Sequence, residues 1–185
     1  MTITLSRRLF TTREFRNMIE TGVLGENDRV ELVDGEIVEM TATGHRHATC
    51  VRKLNHLFQK VGDRAFVDVQ NPLGISDGDD FYPDLALLKP RDDVYSGTIP
   101  QATDALLVVE VSDTTVEFDR TVKLPRYAAA GVPELWIVDL NSDRIWVHRK
   151  PLDGDYGEVF EAHPGDVLQV PDLPDVEIEV EDILS

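Results

Sequence analysis

Apolar residues recur along this chain in two rhythms, and each change of rhythm marks an element. From His45 to Val61 the apolar positions Cys50, Val51, Leu54, Leu57, Phe58 and Val61 fall three and four apart, which predicts a helix with one buried stripe. "RVELVDGEIVEM" instead alternates on either side of Asp34-Gly35. That dipeptide tolerates the positive φ of a type I′ turn, so a hairpin is predicted. "TTREFRNMIETG" opens on threonines fit to cap a helix, carries Glu14 soon after and stops near Gly22, which predicts a short amphipathic helix.

Further along, "AFVDVQNPLGI" and "YPDLALL" read as strands with "SDGDD" as the turn between them, and "ALLVVEVS" as a third strand. A helix follows around "KLPRYAAAG". "ELWIVDL" and "RIWVHR" form a predicted hairpin across Asn141, Ser142 and Asp143, and "EVF", "DVLQV" and "VEIEV" are short strands. This order predicts an α/β domain whose mixed central sheet is covered by helices. No repeat or low-complexity linker interrupts it, and 185 residues suit one domain spanning 1–185.

Composition narrows the function classes. With 42% hydrophobic and 29% charged residues the chain has a globular composition, and no apolar run approaches the roughly 18–20 residues of a membrane span. The start "MTITLSRRLF" is charged too early for a secretory signal, and the single cysteine, Cys50, has no internal disulfide partner, so a cytoplasmic location is expected. Cys50 sits among apolar neighbours and reads as a small core filler. The net charge of -17 argues against a broad basic DNA-binding face. It restricts nucleic-acid contact to a local patch or a metal-bridged one. Pro151–Ser185 contains no Lys or Arg and reads as a solvated acidic surface.

One charge falls inside an apolar run. Glu110 interrupts Leu106, Leu107, Val108, Val109 and Val111, where an ionised carboxylate is costly unless paired. Asp84, after Pro83, heads a second apolar run 26 positions earlier, and Lys123 follows Glu110 by 13. Two strands offering carboxylates at neighbouring positions suit Mg²⁺ or Mn²⁺, hard cations that prefer oxygen ligands. Such an ion supplies the chemistry of phosphodiester hydrolysis, and Lys123 could orient water or stabilise developing charge. Taken singly, each residue also has an ordinary reading, as a turn opening, a solvent-facing strand acid or a solvated helical lysine.

The ordered motifs "ELVDGEIVEM", "HRHATCVRKLNHL", "YPDLALL", "LLVVEVSDTT" and "DRTVKLPRYAAAGVPELWIVDL" closely resemble the Uma-two family of restriction-type endonucleases, a bacterial branch of the PD-(D/E)XK nuclease superfamily. The resemblance runs roughly from Val30 to His148. It implies a restriction-endonuclease-like core, here with an added N-terminal hairpin and C-terminal strands. It also implies a Mg²⁺- or Mn²⁺-dependent endonuclease acting on DNA through a local contact. By position, Asp84 is the aspartate of the PD motif and Glu110 the acid of the second motif, both metal ligands. Lys123 is the lysine moved onto the following helix, because Ser112 stands where the superfamily pattern puts lysine.

His47 matches a histidine near the start of the family's first core helix and is a fourth catalytic candidate, through a phosphate or a metal-bound water. A cupin-type site at His45 and His47 lacks its matching glutamate. Tyr127, Gly131 and Trp136 read as architecture, with Tyr127 placed to hold Lys123. Pro125 suits only a first helical turn, so that helix is expected to begin near Val122–Leu124 with Lys123 at its mouth. Arg46, Arg52, Lys53 and Lys60 could touch a backbone. Cutting both strands is simplest with two active sites, which predicts a homodimer. The alternative is a non-catalytic interaction or scaffold protein on the same fold, favoured by the strong acidity.

Overall fold

The computed structural model of the protein describes residues 6–25, 28–41 and 44–185. Helix α1 (Thr12–Glu20) starts at Thr11, whose side chain caps the Glu14 N–H while Glu14 caps the Thr11 N–H. Strands β1 (Val30–Val33) and β2 (Glu36–Glu39) form the expected hairpin, with φ positive at both Asp34 and Gly35 as a type I′ turn requires. The alternation predicts a half-exposed β1, yet Glu31, Leu32 and Val33 are all buried. Helix α2 (His45–Phe58) buries Cys50, Val51, Leu54, Leu57 and Phe58, and a 3₁₀ segment extends it to Arg64. Burial pushes the Cys50 thiol up to about 12, so it is an inert filler.

"AFVDVQNPLGI" is not one strand. It divides into β3 (Phe66–Asp68) and β4 (Leu73–Ser76) because Gln70 takes a left-handed φ of 53° and Pro72 offers no N–H to a ladder. "SDGDD" is likewise only partly a turn: β5 (Asp79–Phe81) begins inside it. Asp80 can lie fully buried there because Arg16 grips both its oxygens at 2.8 Å. β6 (Leu85–Leu88) and β7 (Ala105–Ser112) follow.

The helix after β7 starts earlier than the proline suggests. A short α3 (Val116–Phe118) runs through a π-type turn, Asp119–Lys123, into α4 (Leu124–Ala129). Pro125 has no N–H for the Thr121 carbonyl, and the Leu124 N–H reaches back five residues to the Asp119 carbonyl, widening the turn. Lys123 therefore lies within a helical run, and Asp119 and Lys123 are both buried. The chain continues through β8 (Glu134–Asp139), β9 (Arg144–Leu152), β10 (Asp155–Ala162), β11 (Val167–Val170), β12 (Leu173–Glu179) and a terminal helix α5 (Val180–Leu184).

The main sheet has the order β10-β9-β8-β7-β6-β3, in which only β7 and β8 are parallel. A smaller sheet, β2-β1-β5-β4, and the β11-β12 ribbon complete it. One core joins α2, the ribbon and α5 to Leu107, Val109, Trp136 and Val147 of the main sheet. The other joins Leu124 and Tyr127 of α4 and Phe81 of the small sheet to Ala86, Val108, Leu135 and Ile137. Every residue of β7 and β8 is buried, as expected of central strands covered on both faces. Alternation puts Glu110 on the same face as Val108, beneath α4. Among the described residues no helix is long and apolar enough to cross a membrane.

His148 on β9 is buried against Tyr156, and neither ring nitrogen meets a hydrogen-bond partner among the described residues. Burial, with the Arg120 charge nearby, holds its pKa down at about 4. The unfolded chain takes up this proton near the ordinary histidine value of about 6.5, the folded one only near 4. The associated stability is fully present above 6.5 and is lost as pH falls through that window. The urea midpoint is expected to drop between pH 7 and pH 5, and His148→Phe is expected to flatten that slope. An identical slope in the variant refutes the assignment.

Candidate active site

Strands β6 and β7 pair antiparallel with Leu85 opposite Val109 and Ala86 opposite Val108. One residue further, that register sets Asp84 across from Glu110. The Val111 N–H donates to Asp84 Oδ2 at 2.9 Å, fixing the aspartate to the neighbouring strand. Gln70 Nε2 donates to Asp84 Oδ1 at 3.1 Å, and His47 Nε2 lies 2.9 Å from Asp84 Oδ2. Glu110 Oε1 accepts from the Tyr127 hydroxyl at 2.6 Å and from Lys123 Nζ at 3.2 Å. Lys123 Nζ donates also to Glu31 Oε1 at 2.9 Å, and that oxygen accepts the Tyr82 N–H at 2.8 Å. Of the four residues singled out in the sequence, His47 and Asp84 belong to one hydrogen-bonded set and Glu110 and Lys123 to another, and all four line one cleft.

This answers why a carboxylate can stand inside β7. Burial pushes the Glu110 pKa up, with Asp119, Asp84 and Glu31 adding to the rise, while Lys123 pulls against it. For Lys123 burial favours loss of the proton, but Glu110, Glu31 and Asp119 outweigh it and hold the ammonium charged. Burial and the Glu110 charge raise the Tyr127 pKa well above the ordinary value, so its hydroxyl stays a donor. Asp119, also raised by burial, accepts from Ser112 Oγ at 2.6 Å and Thr115 Oγ1 at 2.9 Å. Ser112, where the superfamily pattern has lysine, holds this aspartate instead.

The cluster opens into a cleft of about 520 Å³ between the β1-β2 hairpin, the start of α2 and the Asp113–Asp119 segment. Glu31 and Glu110 contact the Lys123 ammonium, and Asp84 and Asp119 line the same cleft. Among the described residues no three His, Cys, Asp or Glu side chains stand as a ready-made metal cage. The donor chemistry nevertheless fits a hard cation. Carboxylates from adjacent strands line the same cleft, negative charge exceeds positive, and no described donor reaches Glu110 Oε2. Asp84 and Glu110 are the residues that would hold the ion.

Several members of the cluster escaped the sequence reading. Glu31 has the same signal as Glu110, an acid inside an apolar strand, but the alternating hairpin pattern disguised it. Gln70 and Asp119 are contributed by a left-handed residue and a π-type turn, which periodicity does not mark. Tyr127 was expected to hold Lys123 and instead reaches Glu110. Of the basic residues on α2, Arg46 donates to the Leu140 carbonyl, Arg52 to Thr49 and Lys53 to Ser185.

The family model Uma2, described as "Putative restriction endonuclease", matches residues 13–181 of this chain. Among solved structures, a "putative nuclease belonging to DUF820" from Anabaena variabilis is similar with a TM-score of 0.73. The two share 16% identity over 95% of this chain and 97% of that one, a likeness of fold. The expected mixed α/β, restriction-endonuclease-like fold is therefore the observed one. No curated protein matches the sequence.

Lys123→Met leaves Glu31 and Glu110 facing each other in a buried site without a counter-charge. It is expected to lower the unfolding free energy by about 3–5 kcal/mol. The deficit should be smaller at pH 5 than at pH 8, because Glu110, raised by burial and freed of Lys123, can take up a proton at the lower pH. Urea denaturation at the two pH values checks this, and an unchanged midpoint refutes the ion-pair account.

Proposed function

This chain belongs to the Uma2 family, and on that premise we propose that it is a divalent-cation-dependent endonuclease hydrolysing phosphodiester bonds in DNA. The observation that carries the reading is that Asp84 and Glu110, each one residue beyond the Leu85–Val109 pair, line one cleft, with the Lys123 ammonium 3.2 Å from Glu110 Oε1. A bound Mg²⁺ or Mn²⁺ would supply a water of lowered pKa and a counter-charge for the pentavalent transition state. Asp84 and Glu110 are its ligands. Lys123, held charged, stabilises negative charge on the phosphoryl oxygens and is no general base. His47 orients the Asp84 carboxylate from α2.

The family reading makes nucleic acid the substrate class, and the cleft constrains how it is met. Its lining carries seven carboxylates, Glu31, Glu39, Asp84, Glu110, Asp113, Glu117 and Asp119, but only Arg29 and Lys123 as fixed cations. Arg29 is exposed at the rim and forms no ion pair with a described residue, so it is the natural contact for a flanking phosphate. The same acidity favours the second reading, a non-catalytic scaffold, since an unmetallated cleft of this charge repels a phosphate polymer.

Metal and nuclease assays separate the two. The nuclease reading expects cleavage of DNA with Mg²⁺ or Mn²⁺, reduced at least a hundredfold by Asp84→Asn or Glu110→Gln. It also expects stabilisation of the wild type by about 2.7 kcal/mol at a cation concentration a hundred times Kd. A melting temperature indifferent to millimolar Mg²⁺ and Mn²⁺, together with no cleavage, favours the scaffold. Arg29→Glu is expected to raise KM on the order of tenfold with little change in kcat, and to reduce the salt dependence of binding. Unaltered KM removes Arg29 from the substrate path.

A further inference from the structure

The chemistry proposed above leaves Glu31 without a task, although it is among the most enclosed carboxylates of the molecule, 4% exposed. It is also the one acid that the β1-β2 hairpin sends into the cluster. Its Oε1 accepts the Lys123 ammonium at 2.9 Å, closer than Glu110 does at 3.2 Å, so the lysine is held by carboxylates of two elements, β1 and β7. The same oxygen accepts the Tyr82 N–H at 2.8 Å, two residues before Asp84. One atom of β1 therefore ties the lysine-bearing π-type turn to the segment that leads into the metal-binding aspartate.

We propose that Glu31 is the positioning residue of this active site, clamping the Lys123 ammonium between β1 and Glu110 and setting its distance from the Asp84–Glu110 pair. The inference rests on the nuclease reading and deepens it. A lysine has four rotatable side-chain bonds and a compact charge, so a single carboxylate fixes neither its direction nor its reach. Two carboxylates on separate elements do. Glu110 accepts both Lys123 and Tyr127 on Oε1, an arrangement that leaves its Oε2 for the cation; without Glu31 the ammonium would rest on Glu110 alone, free to cover that oxygen as well. The β1-β2 hairpin is thus a functional wall of the cleft, not an appendage to the nuclease core. Glu31 does not touch the reacting phosphate and acts through Lys123.

The test is a double-mutant cycle over Glu31→Gln and Lys123→Met, read twice. Glu31→Gln keeps an oxygen for the Tyr82 N–H and removes only the charge, so the variant should fold. It is expected to lower kcat by about tenfold or more with DNA KM unchanged, and to cost nothing further in the Lys123→Met background. The second reading needs no turnover. Chemical denaturation of the four proteins without metal should be non-additive, with the Glu31→Gln loss falling to less than half when Lys123 is already methionine. Additive effects in both readings, or a Glu31→Gln enzyme as fast as wild type, overturn the clamp. A wild type that cleaves nothing but shows a coupled denaturation cycle overturns the nuclease reading while upholding the Glu31–Lys123 link.

Discussion

Everything in this fold near the cleft is arranged around one buried ammonium. Lys123 enters the space beneath α4 only because Glu110 and Glu31 meet it there, and those two acids are tolerable in β7 and β1 only because it is present. Remove the lysine and two central elements carry uncompensated charge. Remove the acids and a helix buries a bare cation. Such mutual dependence contributes little net stability compared with an apolar core of the same volume, but it specifies geometry. The hairpin, the central strand and the helical turn have to meet in one way.

That constraint explains the irregular helix. With an uninterrupted α-helix through Pro125, Thr121 would offer a carbonyl to a missing N–H and the ring would press on the preceding turn. The widened turn over Asp119–Lys123 relieves this, and it buries Asp119 and Lys123 together. Asp119 then takes hydrogen bonds from Ser112 and Thr115 and sits within range of the lysine. A π-type turn in the middle of a short helix is a local departure from ideal geometry that here serves the placement of charged groups.

Legibility in the sequence followed physical type. Elements defined by periodicity or by turn chemistry were readable: α1 from its capping box, the Asp34-Gly35 hairpin, α2 from its stripe, and β7 through β9 from their apolar runs. Elements defined by single backbone irregularities were not, as at Gln70, which breaks one expected strand into two that join different sheets. The candidate site was half legible. Glu110 announced itself by breaking an apolar run, and Asp84 and Lys123 followed from it and from the family resemblance. Glu31 did not, because burial on both faces of a hairpin strand comes from the small sheet packing under α4, which no local pattern records. Gln70 reached Asp84 through that same unmarked break.

The excess of acid around the cleft has the same origin as its chemistry. Asp119, Asp84 and Glu31 all raise the proton affinity of Glu110, and one lysine cannot balance four carboxylates. A site in that condition can relieve the imbalance by taking protons or by taking a cation. In a protein of net charge -17 the surroundings supply no surplus of basic side chains to do it instead. A divalent ion offers two charges in one coordination position and bonds best to the oxygens this site already presents. The acidity that argues against free nucleic acid is therefore an argument for the proposed metallated site, in which the ion and the phosphate would enter as partners and Arg29 would be the outermost contact.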